Sequence, residues 1–442
     1  MTSPAVDVCV IGGGPAGALA ALELARLGFS VCLVHRPRAR SHWPETAPAI
    51  LSALFERLGL ANVLADATVT VVSEKWLAWP GEELFRIPKP GGVIVRRDRL
   101  DDGLRNAARC AGVQIIKANA GSPTRDANAS WYVPLGPGRD NGMRARFVVI
   151  ATGRSGLRRT VSSAEKMVAY YGTLPPGCLP VGIMVVGSGT GHWYWGSSLP
   201  DAYHVLVFKK PRQLDCPSSR DALFASSLPR QFDRAIAPVF VGAADATPRT
   251  ANQSGGDSWI RVGDALLSVD PLASNGLYIA TLTAVQSARV INTLAHRPTD
   301  TQGALGFYAE TQQDIAASCA SVATDFYTGG PRSVSEPENS FGHAHYRGMK
   351  SLTYMLAPKV RFESVSVLVG DFILTMPGVA RDAKRPLAMV MGVPIGRLLE
   401  PMVAGKTLKE AAQQWTEFSE TDRAKLADAL IREGLVVPSA CF

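Results

Sequence analysis

Residues 5–26 read AVDVCVIGGGPAGALAALELAR, and this stretch decides the fold. Its first third is rich in β-branched residues and its second half in helix formers, with a glycine-rich break between them. The pattern predicts a strand, a tight turn and a helix whose N-terminus faces an anion. Gly12 permits the turn, Gly14 lets the backbone approach a pyrophosphate, and Gly17 lets the helix pack on the strand. We therefore predict a dinucleotide site that includes the loop residues Gly12, Gly14, Pro15, Ala16 and Gly17.

The second strand of this unit is predicted from Ser30 to His35. In a dinucleotide fold the residue that ends this strand is usually an acid, which accepts hydrogen bonds from the adenosine ribose. Here that residue is His35, followed by Arg36. Either the imidazole makes the ribose contact or Arg36 covers the adenine side, so both are candidate cofactor-binding residues.

Three further segments favour FAD over a nicotinamide nucleotide as the ligand. The segment VRRDRLD, residues 95–101, places Arg97 where a strand enters an amphipathic helix, and residues 146–154 form a buried strand that ends in ATG. The third segment contains VGDA, in which Asp264 can bond a ribityl hydroxyl, and then DPLASNG, in which backbone amides at a helix start can face the flavin. No cysteine or histidine lies in an evident linkage motif, so we expect noncovalent binding. The candidate FAD contacts in these segments are Arg97, Asp264, Pro271, Asn275 and Gly276.

Length and composition set the broad class. With 442 residues, of which 46% are apolar, the chain is expected to form two or three domains. Seven scattered cysteines without CxxC spacing suggest buried thiols in a reducing cytoplasm, and neither an export signal nor a membrane span is predicted. The net charge of +8 is not concentrated in a basic block, so a solvated surface is favoured over nucleic-acid binding. The Cys and His spacing predicts no metal site.

The order of GGGPAG, RRDRLDD, ATG, VGDA and DPLASNG resembles the flavoprotein monooxygenase superfamily of the aromatic-hydroxylase type, over roughly the first 300 residues. The turn PETAP, residues 44–48, is similar to the corresponding turn of tryptophan halogenases and their relatives. The nearest branch is that of maturation flavoproteins, which oxidise a tryptophan within a partner polypeptide during tryptophylquinone biogenesis. This resemblance implies FAD, O2 as co-substrate, and NAD(P)H or another reductant that binds transiently. It also implies a peptide or small protein as partner, and makes Glu45 a candidate catalytic residue.

Strands alternate between the ATG and VGDA segments, at residues 179–187, 192–199 and 203–209. In the resembled family such an inserted antiparallel sheet roofs the flavin and holds the substrate. GSGTGH, residues 187–192, lacks the following helix and correct last glycine of a second nucleotide loop, so we interpret it as a hairpin turn. In HWYW, Trp193 and Trp195 share one face of a strand while His192 and Tyr194 share the other. One pair should line the flavin cavity, and all four residues are candidate substrate contacts.

Two rival functions remain open. The first is a small-molecule aromatic hydroxylase or a halogenase, because the WxW spacing also resembles tryptophan halogenases, although Gly196-Ser197-Ser198 departs from their pattern. Lys75 is the lysine nearest to where a halogenase keeps its halogen-activating lysine, and is a second candidate catalytic residue, with a solvated strand lysine as the favoured interpretation. The second rival is a non-catalytic flavin-binding redox sensor.

The predicted fold class is α/β (α+β), with a Rossmann-like FAD-binding domain, an inserted antiparallel substrate sheet and a small C-terminal winged-helix-like domain. The predicted segments are 1–165 and 255–300 for FAD binding, 166–254 for the substrate sheet, 301–390 for a helical and loop region, and 391–442 for the last domain. A polar loop, residues 329–345, is a candidate lip of the active site, with His343 and His345 as possible proton-transfer groups. Residues 395–403, 407–414 and 422–433 predict three short helices. Few basic residues accompany them, so a peptide-binding or intramolecular role is favoured over DNA binding.

Overall fold

A computed structural model describes residues 5–36, 43–79, 83–126, 130–136, 141–157, 166–189, 192–209, 239–273, 275–329, 353–381 and 384–439. The chain divides into two compact units, one of Met1–Ile291 with Tyr308–Ser335 and the other of Asn292–Phe307 with Glu336–Phe442. In the described part of the chain, no helix combines the length and apolar character needed to cross a membrane. His343, His345 and nearly all of the predicted lip loop lie outside the described residues.

The first unit contains an eight-stranded, mainly parallel sheet that begins as the sequence predicts. Strand β1 (Ala5–Ile11) leads through the glycine turn into helix α1 (Pro15–Arg26) and then into β2 (Val31–His35). β1 pairs in parallel with β2 on one side and with β11 (Gly142–Ile150) on the other. Both faces of these central strands are covered, which explains their nearly unbroken apolar sequences. The remaining strands of this sheet are β8 (Gln114–Lys117), β9 (Thr124–Arg125), β10 (Trp131–Pro134), β18 (Gly255–Gly256) and β19 (Trp259–Arg261).

A seven-stranded sheet forms the second layer of this unit. Its order is β16 (Val239–Asp245), β12 (Val168–Leu174), β15 (Tyr203–Lys209), β14 (His192–Ser198), β13 (Ile183–Gly189), β5 (Glu74–Ala78) and β6 (Phe85–Pro88). β13 and β14 pair in an antiparallel hairpin that closes at Gly189 and His192, which confirms the hairpin interpretation of GSGTGH. The predicted limits 166–254 omit β5 and β6. β5 joins by parallel pairing with the distant β13, a contact that local periodicity does not report.

A small sheet and three helices connect the two layers. β3 (Pro44–Ala47), β7 (Val93–Arg96) and β4 (Thr68–Val71) pair in that order, so the PETAP turn lies beside the strand that enters α4 (Arg97–Cys110). Helices α2 (Ala49–Arg57) and α3 (Ala61–Ala67) lie between β3 and β4 in the chain. β17 (Arg249–Thr250) pairs with β20 (Leu267–Ser268) near the VGDA segment. Two long helices follow, α5 (Gly276–His296) and α6 (Thr301–Gly329).

The second unit differs in part from the prediction. The segment 301–390 was predicted to be helical and loop, but it contains β21 (Tyr354–Leu356), β22 (Arg361–Val369), β23 (Phe372–Arg381), β24 (Lys384–Leu387) and β25 (Met389–Val390). β22 and β23 form a hairpin about Gly370, whose positive φ of 58° suits a tight turn. β22 is largely exposed, and the two faces of its sequence RFESVSVLV differ little in hydrophobicity. Alternation of apolar and polar residues therefore did not indicate the hairpin.

The three short helices predicted near the C-terminus are present. They are α7 (Ile395–Val403), α8 (Leu408–Gln414) and α9 (Glu420–Arg432), preceded by β26 (Val393–Pro394) and followed by β27 (Val436–Pro438). Thr407 starts α8 with a capping box, in which its hydroxyl accepts from the Glu410 amide and the Glu410 carboxylate accepts from the Thr407 amide. Their apolar faces enclose one core that includes Leu398, Trp415 and Leu430.

Candidate functional site

One cavity in the first unit brings most of the predicted cofactor and substrate residues together. Its volume is about 1730 Å³, above the roughly 300–1,000 Å³ of a site for one drug-sized ligand. One part is lined by the glycine turn, the end of β2 and helix α4, and another by the seven-stranded sheet. The cavity therefore has room for a dinucleotide and a second molecule.

The glycine turn forms one wall and explains two of its glycines through packing alone. Gly12 has φ of +119°, and a Cβ there would lie 2.1 Å from the carbonyl oxygen of Ala151. A Cβ on Gly17 would lie 1.8 Å from the carbonyl oxygen of Gly12, so only glycine lets α1 approach the turn. Gly14 precedes α1 as its N-cap residue, has extended backbone and lines the cavity. Gly14 is thus placed where a ligand could approach the unpaired amides of the first helical turn.

The end of β2 carries the residues expected near the adenosine. His35 and Arg36 both line the cavity, and the His35 side chain packs against Gly13, where an added Cβ would lie 2.6 Å from the His35 Cβ. Arg105 of α4 donates to the Gly13 carbonyl oxygen at 2.6 Å and thereby ties the helix to the glycine turn. Lys117 pairs in register with His35 and lines the same part of the cavity. This end therefore presents an imidazole and several cations where an acid is usual.

Arg97 and Glu45 form an ion pair that links α4 to the PETAP turn. Arg97 also lies 3.5 Å from Asp101, whose side chain is fully buried. A Cβ built on Gly276 would lie 3.7 Å from Oε1 of Glu45, so the Glu45 carboxylate faces the start of α5. Glu45 and Arg97 both line the cavity. Glu45 thus contacts Arg97 in the cofactor wall, which is the part of the cavity lined by the predicted FAD-binding residues.

Asp264 lies in a 3-10 turn, Gly263–Ala265, and its carboxylate is 3.6 Å from Nε of Arg154. The surrounding protein raises the pKa of Asp264 by desolvation; Arg154 and Arg97 oppose this effect, whereas the Glu45 charge adds to it. The side chain is still 43% exposed to the cleft. A hydroxyl group bound there would replace the missing water contacts of a partly desolvated carboxylate.

The start of α5 completes the cofactor wall. Pro271, Asn275 and Gly276 line the cavity, and the helix begins at Gly276. The carbonyl oxygen of Asn275 accepts from the Ile279 amide at 2.8 Å, while its side-chain amide lies 3.8 Å from Sγ of Cys319. The positive end of the helix dipole therefore faces the cavity, as the sequence predicts for the electron-poor end of a flavin.

Aromatic side chains line the part of the cavity under the seven-stranded sheet. Trp193 and Trp195 of β14 face it, together with Leu206 and Phe208 of β15. Trp193 stacks on Phe208 with ring centroids 3.8 Å apart and planes 9° apart. Trp43 also lines the cavity, and its ring meets Tyr171 edge-on at 5.0 Å. These rings form an apolar wall suited to a planar aromatic guest.

The other predicted substrate residues lie elsewhere. Tyr194 is 3% exposed and belongs to a separate core on the opposite face of the sheet, and His192 shares that face. Neither lines the cavity among the described residues, because successive side chains of a strand alternate between faces. Lys75 shares the register of Met184 in the sheet and is also absent from the described lining. Its predicted catalytic role stays a prediction without support from position.

Several residues that line the cavity were not predicted from the sequence. Trp43 immediately precedes the PETAP turn, Arg154 ends the ATGR segment, and Phe208 lies in a predicted strand. The sequence did carry a signal for Arg154, because this residue directly follows the ATG motif. No local pattern distinguished Trp43 or Phe208 from ordinary core residues, because only the tertiary fold places them beside the cavity.

The residues present fit FAD. The glycine turn would hold the pyrophosphate, the Asp264 carboxylate a ribityl hydroxyl, and the N-terminus of α5 the flavin ring. Thr152 of the ATG segment lines the cavity, and its buried Oγ1 has no hydrogen-bond partner among the described residues. In the described part of the chain no group of His, Cys, Asp or Glu forms a metal site.

Comparison with known proteins supports an FAD-binding fold. A family model described as an FAD binding domain matches residues 5–170. A tryptophan 2-halogenase of Chondromyces crocatus is 25% identical over 359 residues, which cover 72% of this chain and 67% of the halogenase. The motif-based resemblance is thereby confirmed.

Two solved structures share the fold across nearly the whole chain. One is the peptidyl tryptophan dihydroxylase QhpG, essential for tryptophylquinone cofactor biogenesis, with a TM-score of 0.73, 22% identity, and coverage of 98% of this chain and 100% of that one. The other is the flavin-dependent halogenase CmlS, with a TM-score of 0.76, 16% identity, and coverage of 99% and 96%. At these identities the likeness establishes the fold, and the predicted fold class is confirmed.

Proposed function

We propose that this chain, whose residues 5–170 match an FAD binding domain, is a flavin-dependent oxidoreductase that hydroxylates the indole of a tryptophan within a partner polypeptide. The observation that carries the proposal is the aromatic wall of Trp193, Trp195 and Phe208 in the same cavity as the cofactor residues. The likeness to QhpG over nearly the whole length of both chains supports a peptidyl substrate.

Reduced FAD, when bound, supplies the chemistry that activates O2, and NAD(P)H or another reductant restores it between turnovers. The chain's own residues orient the flavin and the target indole. The glycine turn and Asp264 hold the cofactor, while the aromatic wall holds an indole flat and excludes water. Edge-to-face and offset contacts with Trp193, Trp195 and Phe208 suit an electron-rich ring and offer few competing polar groups.

Halogenation is the second candidate, because of the tryptophan 2-halogenase among the relatives and the PETAP turn. The position of the lysines favours hydroxylation. Among the described residues that line the cavity, the lysine present is Lys117, which lies at the adenosine end beside His35. A halogen-activating lysine would have to lie near the aromatic wall, and Lys75 does not line it.

The test offers the purified holoenzyme, with a reductant and O2, three substrates in parallel. They are a tryptophan-bearing peptide, free tryptophan, and the same peptide with chloride and bromide added. The proposal expects oxygen to be added to the peptide and no halogen to be incorporated. Preferential oxidation of free tryptophan would favour the small-molecule hydroxylase, and halogenated product would favour the halogenase. Consumption of reductant without any product from these substrates would favour the redox sensor.

A further inference from the structure

The three-stranded sheet of the second unit has two edges of different kinds. β24 forms one edge, is four residues long, reads KRPL and pairs with β23 in an irregular register. β22 forms the other edge, is nine residues long, reads RFESVSVLV and pairs with β23 without a shift in register. Proteins usually guard an edge strand with a lysine, a proline, a bulge or short length. β24 has these features and β22 does not, and the charged residues of β22, Arg361 and Glu363, lie at one end.

The main chain of β22 presents hydrogen-bonding groups on its outer side. Ser364 lies opposite Pro377, and because proline has no amide hydrogen, the two residues form a non-hydrogen-bonded pair of the ladder. The amide and carbonyl groups of Ser364 therefore point away from β23. With a period of two, so do those of Phe362, Ser366 and Leu368. No described strand pairs with this side, and no backbone hydrogen bond to these groups is found among the described residues, which run unbroken from 353 to 381.

Two large apolar side chains of β22 are exposed. Phe362 is 50% exposed and Leu368 is 40% exposed. Their cross-strand partners on β23, Val379 and Ile373, are fully buried. Both exposed side chains therefore belong to the packed face of the sheet and lie at its exposed edge. They lie at equal distances along the strand from Val365, so the apolar pattern of β22 is symmetric about that residue.

We infer that β22 pairs with β22 of a second copy of this chain, antiparallel and centred on Val365, so that the two sheets become one sheet of six strands. A two-fold axis then places Phe362 of each copy opposite Leu368 of the other. Ser364 lies opposite Ser366 of the second copy, where their outward amides and carbonyls form hydrogen bonds. A strand of another protein would need apolar residues at both matching positions, whereas β22 supplies them itself.

The charges of β22 are compatible with this pairing. Glu363 lies opposite Val367 of the second copy, and Arg361 lies opposite Val369, so no like charges face each other across the new ladder. β22 belongs to the second unit, and the inference is therefore independent of the proposed hydroxylase function.

The first experiment measures the molar mass of the full-length chain in solution by light scattering at several concentrations. We expect twice the mass of one chain. Phe362→Lys should raise the dissociation constant of the dimer by about tenfold or more, because two apolar cross-strand pairs are lost and two charges are partly buried. The matched control is Phe85→Lys, at a phenylalanine that is 56% exposed on β6, an edge strand of the seven-stranded sheet, and it should leave the mass unchanged. A monomeric parent chain, or equal effects of the two variants, would overturn the inference.

A second experiment tests the register with single cysteines. In the inferred pairing the two copies of Val365 form a non-hydrogen-bonded pair, with Cα atoms about 4.5 Å apart, within the range of about 4.4–6.8 Å that a disulfide spans. Val365→Cys should therefore give a disulfide-linked dimer under mild oxidation. Val367→Cys, on the same face of the strand, places its two copies about 14 Å apart and should not. The parent chain, with its seven native cysteines, is the reference. Equal cross-linking of the two variants, or none above the parent chain, would overturn the pairing.

Discussion

Trp193→Leu should separate the role of the aromatic wall from its role in the core. Trp193 is 3% exposed and stacks on Phe208, so its loss removes an aromatic pair worth about 0.5–1.5 kcal/mol beyond area burial. With the cavity that leucine leaves, we expect the free energy of unfolding to fall by about 2–3 kcal/mol, less than the about 3–5 kcal/mol typical of truncation to alanine. The guest indole would lose its flat support. Since a shift of about 1 Å can cost about a hundredfold in rate, product formation should fall by about that factor.

The matched control is Tyr194→Leu. Tyr194 is equally buried, lies on the adjacent position of β14, and packs into the core on the other face of the sheet. Its replacement should cost comparable stability but leave the rate per bound flavin within a few-fold of the parent. The assay combines urea unfolding, flavin content from absorbance, and product mass per turnover at a temperature where both variants are folded. Equal losses of rate in the two variants would refute the reasoning and make the tryptophan a core residue.

The remaining predictions concern the cofactor wall, a partly buried histidine and the binding of NADPH. Gly14→Val should weaken FAD binding by about tenfold or more, because the added side chain occupies the approach to the first turn of α1. The control Gly306→Ala should retain full flavin content, because its added Cβ meets nothing within 4 Å among the described residues. A Gly14→Val protein that keeps the full yellow colour of bound flavin would contradict this prediction. Glu45→Gln and Arg97→Met should each weaken FAD binding. The double variant should lose about 1 kcal/mol less binding free energy than the sum of the two single losses, because the two side chains form a partly exposed ion pair. Additive losses of binding free energy, measured by flavin fluorescence, would exclude this coupling. Burial lowers the pKa of His204 below its usual value of about 6.5, although Asp201 opposes the shift. Protonation of His204 therefore opposes folding, and the free energy of unfolding should fall as the pH drops below about 6.5, by at most about 1.4 kcal/mol per pH unit. His204→Gln should remove this part of the pH dependence, and an unchanged slope would count against the prediction. Equilibrium dialysis should find no tightly bound NADPH, because GSGTGH, the candidate for a second nucleotide-binding loop, connects the two strands of a hairpin. One tightly bound NADPH per chain would contradict this prediction.

The sequence predicted what local pattern controls. The order of β1, the glycine turn and α1 follows from residues adjacent in the chain, and the helices α7 to α9 lie close to the predicted ranges 395–403, 407–414 and 422–433. Period two correctly divided HWYW into two pairs, but which pair faces the cavity depends on the layer packed against the sheet. That information belongs to distant residues, including Trp43 and the start of α5.

The rest depended on contacts between segments far apart in sequence. Glu45 approaches Gly276 although the two residues lie far apart in the chain, so no local window contains this contact. β5 enters the second sheet by a parallel pairing with β13, so β5 and its neighbour β6 lie outside the predicted limits 166–254. β12 meets β15 and β16 for the same reason, since these strands are separated in the chain and pair only in the folded sheet.

The most direct test of the proposed hydroxylase function is the fate of isotopically labelled dioxygen. The purified holoenzyme would be supplied with a reductant, labelled O2 and a tryptophan-bearing polypeptide, and fragment masses of the product would locate the label. We predict labelled oxygen on the indole of the tryptophan, and none when the flavin is removed. An unlabelled polypeptide, accompanied by consumption of O2 and reductant, would contradict the hydroxylase function.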